Sequence, residues 1–203
     1  MGKKKERGTL IVLSGPSGVG KSTAVHEVMR RHPTLRFSVS VTTREMRPGE
    51  VDGESYYFIS RQRFREMLEN DELLEHAEYV GNCYGTPEEP INRMLEQGID
   101  VLLDIEPCGA LQVQQRRPDA TLIFMAAPSF SEIERRLRGR GDTQPDKITA
   151  RLARARWEYQ QAEKYDYIVV NDDVDHAARE IEAIMLAEKC RAALRLNYLK
   201  EEL

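Results

Sequence analysis

The sequence predicts an α/β fold in which a parallel sheet is wrapped by helices on both faces, on three observations. Apolar runs at residues 9–13, 99–105, 121–126 and 167–170 have the length and composition of buried strands. Segments of helical spacing separate them, as parallel strands require. The first run leads straight into Ser14-Gly15-Pro16-Ser17-Gly18-Val19-Gly20-Lys21-Ser22-Thr23, a glycine-rich turn that opens a helix.

In that turn Gly15 and Gly20 stand five apart and are followed by Lys21 and Ser22, the pattern of a phosphate loop. Glycines at 15, 18 and 20 let the backbone curl so that its N–H groups converge on a polyphosphate, where a Cβ would intrude. The next helix adds the positive end of its dipole. Lys21 is placed to reach the β- and γ-phosphates, and the Ser22 hydroxyl is the usual ligand of the magnesium ion that bridges them. By chance the four fixed positions would occur in a chain of this length about one time in a hundred. Gly15, Pro16, Ser17, Gly18, Val19, Gly20, Lys21, Ser22 and Thr23 are therefore the expected ATP-binding residues.

Composition narrows the remainder. With 203 residues, 40% hydrophobic and 32% charged, the chain can build a substantial core and is expected to form one domain with inserted pieces. No apolar run approaches the ~20 residues of a membrane span, and the basic N-terminus lacks the apolar segment of a secretory signal, so a cytoplasmic protein without a membrane partner is expected. A net charge of -4 argues against nucleic acid as a partner, and Lys3-Lys4-Lys5 reads as a solvated tail. Cys83, Cys108 and Cys190 are odd in number and far apart, which suits reduced thiols rather than disulfides or a zinc site. His26, His32, His76 and His176 lack metal-ligand spacing.

After the loop, Ala24, Val25, Val28 and Met29 recur at helical spacing, and Arg30-Arg31-His32 before Pro33 closes that helix. Residues 35–43 alternate and read as one strand, with Ser38, Ser40 and Thr42 on its second face. A polar loop with Pro48-Gly49 and Asp52-Gly53 turn signals leads to a short strand at 56–59, and Ser60 caps a helix containing Phe64, Met67 and Leu68. Two strand pieces at 73–75 and 78–80 precede a turn at Gly81-Asn82. Ile91, Met94 and Leu95 mark a helix that ends at Gly98. Residues 131–140 form a helix crowded with Arg135, Arg136, Arg138 and Arg140, and Arg151, Arg154 and Arg156 lie on a second helix from Pro145 to about residue 162. Taken singly, each arginine is equally well explained as part of a solvated helix face. Two cationic helices hinged at Gly141 in a phosphate-binding chain read instead as a closing lid. The amphipathic tail from residue 177 packs on the core through Met185; beyond Cys190 it is free to extend to a partner subunit, as in a homo-oligomer.

These segments together resemble the guanylate kinase family of phosphate-loop nucleoside monophosphate kinases, from about residue 8 to 184. The most specific piece is Ser40-Val41-Thr42-Thr43-Arg44 with Arg47, Pro48, Gly49, Glu50 and Gly53 before Tyr56. The likeness continues through Glu75, Tyr84-Gly85-Thr86, Asp104-Ile105-Glu106, Arg136-Leu137 with Gly139-Arg140-Gly141, and Asn171-Asp172-Asp173. It implies a three-layer α/β core, at about 8–37, 99–128 and 160–190, within a single domain over 1–203. An inserted nucleoside-monophosphate-binding subdomain would occupy about 38–98, a mobile arginine-rich lid about 129–159, and a helical tail 191–203.

The implied activity moves the γ-phosphate of ATP onto GMP or dGMP with Mg²⁺. Ser40, Arg44, Arg47, Tyr56 and Tyr84 would hold the acceptor phosphate, a task that suits rigid guanidinium forks and hydroxyls. Glu75 would accept the adjacent N1–H and 2-amino donors of guanine, helped by Thr86 and Glu106. Adenine has no such donor pair, so it would leave Glu75 desolvated and unpaired. Asp104 would bind on the GMP side and organise magnesium through water, alongside Ser22. Lys21, Arg44, Arg136, Arg140 and Arg151 would carry catalysis, and Asn171 and Asp172 would lie by the adenine of ATP. Glu106 is one methylene longer than the aspartate of the family pattern, Cys108 replaces a common glutamine, and Ala127 replaces a proline. Two other readings stay open at this point: a catalytically inactive guanylate-kinase-like interaction domain, against which Lys21 and Ser22 stand, and a phosphate-loop enzyme for another monophosphate, against which the stretch from Ser40 to Tyr56 stands.

Overall fold

Five consecutive residues, Leu10–Ser14, form β1, and every one is buried. A strand covered on both faces needs an unbroken apolar run rather than alternation, which is why Leu10-Ile11-Val12-Leu13 marks it so clearly. The structure, a computed structural model, describes residues 7–79, 81–139 and 145–200. Two compact units emerge: residues up to Val12 with Thr34–Ala120, and Leu13–Pro33 with the residues from Thr121 onward. Strand β1 runs from the first into the second.

In the first unit, the core strands follow the order β2 (Arg36–Phe37), β7 (Val101–Asp104), β1, with β2 and β7 parallel. A second, four-stranded sheet has the order β4 (Tyr57–Phe58), β3 (Val41–Thr42), β6 (Asn82–Pro87), β5 (Leu73–Tyr79). It is mixed: β3 runs parallel to β4 and antiparallel to β6, and β5 runs antiparallel to β6. Val41, Phe64, Met67 and Leu73 form its own small core. Helix α2 (Arg61–Glu69) is capped by Ser60, whose hydroxyl accepts the Arg63 N–H at 3.0 Å. Helix α3 (Glu88–Glu96) ends before Gly98, whose φ of 74° lies in the left-handed region. Helix α4 (Pro107–Arg116) begins with a proline in its first turn, where the missing N–H costs nothing.

The second unit continues the core sheet in the order β1, β8 (Thr121–Ala126), β9 (Tyr167–Val170), with β8 and β9 parallel. Helix α1 (Lys21–Arg31) buries Ala24, Val25 and Val28 and packs on α7 (Val174–Lys189), to which Arg31 is tied through Asp175 at 2.7 Å and Glu182 at 3.4 Å. Helices α5 (Phe130–Arg138) and α6 (Pro145–Gln160) pack on each other, and α8 (Ala192–Lys200) follows α7 after a break. Among the described residues no helix is long and apolar enough to cross a membrane.

Four elements differ from the sequence expectation. The single strand expected over 35–43 is two short strands in different sheets. Ser38 still donates to the Leu102 carbonyl at 3.1 Å, but from Ser40 onward the partners are β4 and β6, as in Tyr57 N–H to Ser40 O at 2.9 Å. Alternation records that a strand has two faces, not which neighbour it pairs with. The two pieces at 73–75 and 78–80 are one strand, irregular in register between Leu73 and Glu75, although Val80 lies outside the described residues. Strand β6 and helix α4 were not anticipated.

Phe124 is fully buried in β8, with ring centroids 5.6 Å from Tyr159 and 5.2 Å from Tyr165 in edge-on contact. Phe124→Ala removes that centre and should destabilise the protein by about 3–5 kcal/mol in urea titration, whereas a loss below about 1 kcal/mol would place the core elsewhere.

Candidate active site

The phosphate loop is built as its glycines require. Gly15, Gly18 and Gly20 all have positive φ, and Gly20 is the left-handed residue immediately before α1. A Cβ on Gly15 would stand 2.3 Å from the Met125 carbonyl oxygen, and one on Gly20 would stand 2.5 Å from Asn171 Nδ2. Both positions are closed to any side chain. Lys21 folds back over the loop and donates to the Gly15 carbonyl at 2.7 Å. Ser22 and Thr23 are exposed on the first turn of α1, Ser17 is exposed, and Pro16 and Val19 are buried.

The carbonyl of Val19 is a point of convergence. Asn171 Nδ2 donates to it at 2.8 Å, and Arg136 Nη1 donates to it at 2.9 Å. Arg136 Nη2 reaches the Asn171 carbonyl at 3.1 Å, and its Nε holds Glu132 at 2.6 Å. Asn171 is itself fixed at the end of β9 by its N–H to the Ala126 carbonyl, 2.8 Å. Hydrogen bonds from Arg135 and then Arg136 hold the Glu132 carboxyl well below the usual range, at about 2. Asn171 and Arg136 thus face the phosphate loop itself in this structure. Asp172 is exposed and accepts from the Asp173 N–H at 2.7 Å. Arg151 is half-buried on α6, and Arg140, with the hinge at Gly141, lies outside the described residues.

In the first unit, Glu75 on β5 is only 7% exposed. The buried Thr86 hydroxyl, on the neighbouring β6, donates to Glu75 Oε1 at 2.6 Å, and Ser40 Oγ lies 3.4 Å from that hydroxyl. Burial pushes the Glu75 carboxyl above its ordinary value, Thr86 opposes the shift, and the charge of Glu106 adds to it. Glu106 is exposed and stands just before α4.

Beside this carboxylate is an aromatic and cationic group. Tyr56 and Tyr84 meet edge-on at 6.0 Å, and the Arg44 guanidinium lies 5.5 Å from the Tyr56 ring centre and 5.6 Å from that of Phe58. Arg44 grips Glu50 with both terminal nitrogens, at 2.9 and 2.8 Å, and the Arg47 N–H reaches the same carboxylate at 2.7 Å. Those bonds, Arg44 first, bring the Glu50 carboxyl down to about 2. Glu50 foremost, with Tyr84 adding and burial opposing, raises the Arg44 guanidinium above its ordinary value. Burial raises the Tyr56 hydroxyl, with Tyr84 and the charge of Asp104 adding to it and Arg44 opposing. Asp104 is half-buried at the end of β7, and the Arg47 residue is exposed.

A glycine-rich loop that opens a helix, and in the other unit a buried carboxylate with tyrosines and an arginine, are side-chain sets that suit a nucleotide kinase. The family model for guanylate kinase matches residues 7–188. The chain belongs to the guanylate kinase family. A guanylate kinase of Synechococcus sp. (strain JA-3-3Ab) is 52% identical over 179 residues, covering 88% of this chain and 82% of that protein. One of Desulfitobacterium hafniense (strain Y51) is 48% identical over 188 residues, covering 93% and 94%. Among solved structures, guanylate kinase from Anaplasma phagocytophilum superposes with a TM-score of 0.74 at 35% identity, covering 92% of this chain and 89% of that one.

Several residues of this guanylate kinase homologue escaped the sequence reading. Glu50 stood in the motif, but its grip on Arg44 has no spacing signal of its own. Gly109, in the unanticipated helix α4, faces Glu75: a Cβ there would stand 2.6 Å from Oε2. Gln112 pairs with the main chain of His76, accepting its N–H at 3.1 Å and donating to its carbonyl at 2.9 Å. Ala127, in place of the guanylate kinase proline, donates its N–H to Tyr159 Oη at 2.9 Å, a bond that proline lacks the proton to make.

The raised Glu75 gives a pH signature. The unfolded chain titrates this group near 4.5 and the folded chain above it, so the buried charge lowers stability where it exists: the penalty is absent below 4.5, grows through the folded value and is complete above it. Glu75→Gln should therefore unfold at higher urea than the parent near neutral pH, with the gap closing as the pH is taken below 4.5. A variant less stable than the parent at neutral pH would contradict the burial penalty.

Proposed function

We propose that the chain transfers the γ-phosphoryl group of ATP to GMP or dGMP, giving ADP and the corresponding diphosphate. Its family supports the kinase activity, and the observation that carries the acceptor is the buried Glu75 carboxylate braced by Thr86. An ionised carboxylate in a desolvated place favours a ligand with two adjacent donors, which guanine has along N1 and the 2-amino group. Thr86 and Ser40 supply hydroxyls beside it, and Glu106 faces the same donors from the start of α4. Arg44, Arg47, Tyr56 and Tyr84 receive the GMP phosphate; Glu50, the Glu45 carbonyl and the flanking rings orient the Arg44 fork, and the Nε and Nη2 protons that these bonds leave over are the ones offered to phosphate oxygens.

ATP is assigned to the loop from Gly15 through Thr23, where the main-chain N–H groups and the α1 N-terminus face its phosphates. Asn171 and Arg136 hold the Val19 carbonyl and so keep those N–H groups aimed; Asp172, exposed at the end of β9, is assigned to the adenine side. An oxygen of the GMP phosphate attacks the γ-phosphorus in line, and the bond to the bridging oxygen of ADP breaks. That attacking phosphate is already ionised at neutral pH, so no strong general base is needed. Lys21 releases the Gly15 carbonyl to follow the transferring group, and Arg136, Arg140 and Arg151 offset its charge.

The oxygen donors fit a hard cation that arrives with ATP. Ser22 presents an exposed hydroxyl, Asp104 a half-buried carboxylate, and no group of three His, Cys, Asp or Glu among the described residues forms a metal cage. Mg²⁺ keeps waters and phosphate oxygens and takes one or two protein ligands, so Ser22, and Asp104 through water, would hold it. Bound there, it would neutralise β- and γ-phosphate charge. A cytoplasmic setting belongs to the same proposal, supported by Cys83, Cys108 and Cys190, none of which is in a disulfide. So does a homo-oligomer through α8, on which Leu194 and Leu196 are exposed.

The test is ADP formation with GMP, dGMP, AMP, UMP and dTMP offered separately. Turnover confined to the guanine nucleotides is expected, and a preference for AMP would overturn the reading of Glu75. Lys21→Ala should lower kcat by at least about a thousandfold with the fold intact by circular dichroism, since removing a charge made for the transition state costs rate rather than packing. Near-normal kcat would remove the lysine from the chemistry.

A further inference from the structure

Two side-chain positions on α4 face consecutive residues of β5, and together they decide where the Glu75 carboxylate stands. Gly109 leaves the space that Oε2 occupies: a Cβ would fall 2.6 Å from that oxygen, closer than real Cβ contacts come, and 3.2 Å from the carboxyl carbon. One turn on, Gln112 takes both hydrogen bonds of the His76 main chain, its Oε1 accepting the N–H and its Nε2 donating to the carbonyl. Strand β5 is at the edge of its sheet, so these backbone groups would otherwise face outward. Gln112 thereby acts as a one-residue neighbouring strand and fixes the helix at Glu75's own position. Adjacent residues of a strand point to opposite faces, so pinning His76 by its backbone leaves the Glu75 side chain directed at its own face.

We infer that α4, through Gly109 and Gln112, is the specificity-determining wall of the base pocket: Gly109 sets the depth of the Glu75 carboxylate and Gln112 sets the position of the helix that carries Gly109. Neither residue touches the acceptor in this account; both are positioning residues acting through Glu75, and the inference rests on the reading of Glu75 as the acceptor of guanine donors. A carboxylate moved by even a fraction of an ångström loses the paired geometry that separates GMP from IMP, which keeps N1–H and lacks the 2-amino group.

The experiment is steady-state kinetics of the full chain with GMP, IMP and ATP for the parent, Gly109→Ala, Gln112→Ala, Glu75→Gln and Glu75→Asp, with Gly109→Ala combined with Glu75→Asp as the relief variant. Gly109→Ala should raise KM for GMP by about tenfold or more, leave KM for ATP within about twofold, and shrink the GMP-over-IMP ratio of kcat/KM. Gln112→Ala should move the same quantities in the same direction by less. Shortening the acid by one methylene makes room for the new methyl, so the double variant should be less impaired than the product of its single effects.

Unchanged GMP kinetics in Gly109→Ala, or equal rises in the GMP and ATP KM values, would overturn the inference. Should Gly109→Ala not fold, Gln112→Ala decides alone: an unchanged GMP KM and an unchanged GMP-over-IMP ratio overturn it. Glu75→Gln separates the two levels. If it leaves GMP binding intact, the reading of Glu75 falls and the wall with it; if it weakens GMP while both α4 variants do not, the reading stands and the wall falls.

Discussion

A carboxylate taken out of water must find donors or give up its charge, and the first unit is organised around that constraint at Glu75. Thr86 gives it one hydrogen bond from the neighbouring strand, Gly109 leaves room for its second oxygen, and Gln112 holds the strand that presents it. Under the proposed function, a ligand with paired donors would relieve the cost of burial, and a base without those donors would leave the charge stranded. The fold around it is correspondingly ordinary: a short mixed sheet, a small apolar core and a helix packed across its edge.

The second unit works by the opposite means. Under the proposed function its ligand would carry the charge, and the protein would answer with main-chain N–H groups, which have no side-chain freedom to lose. Their aim depends on backbone conformation, so the supporting contacts fall on the backbone as well. Asn171 and Arg136 converge on the Val19 carbonyl, and the Met125 carbonyl closes against Gly15. Arg136 links the loop to helix α5, while Glu132, held ionised by Arg135 and Arg136, keeps that guanidinium in place. An arginine expected to come down on phosphate is thus bound to the glycine-rich loop itself.

Much of this was legible in the residues. The loop could be read because its glycine spacing, its lysine and the apolar strand before it are all local, and β8 because a strand buried on both faces leaves an unbroken apolar run; β9 carries a similar run although only Val169 in it is buried. What escaped was non-local. Residues 35–43 alternate throughout, and nothing in alternation tells where β2 leaves β7 and β3 joins β6. Helix α4 was not anticipated, and its packing against β5 is a contact that no spacing along the chain displays. Glu75 and Thr86 were named through family likeness, and their 2.6 Å contact follows from the antiparallel pairing of β5 with β6, which no spacing along the chain displays. The pairing of Arg44 with Glu50 belongs to the same class.

The central claim is that a buried acid reads the acceptor base, and a crystal structure of the protein with GMP bound tests it most directly. The account predicts guanine N1 and its 2-amino nitrogen each within hydrogen-bonding distance of the Glu75 carboxylate, with the carboxylate seated against Gly109. A base bound elsewhere, or one presenting another edge to Glu75, would contradict it.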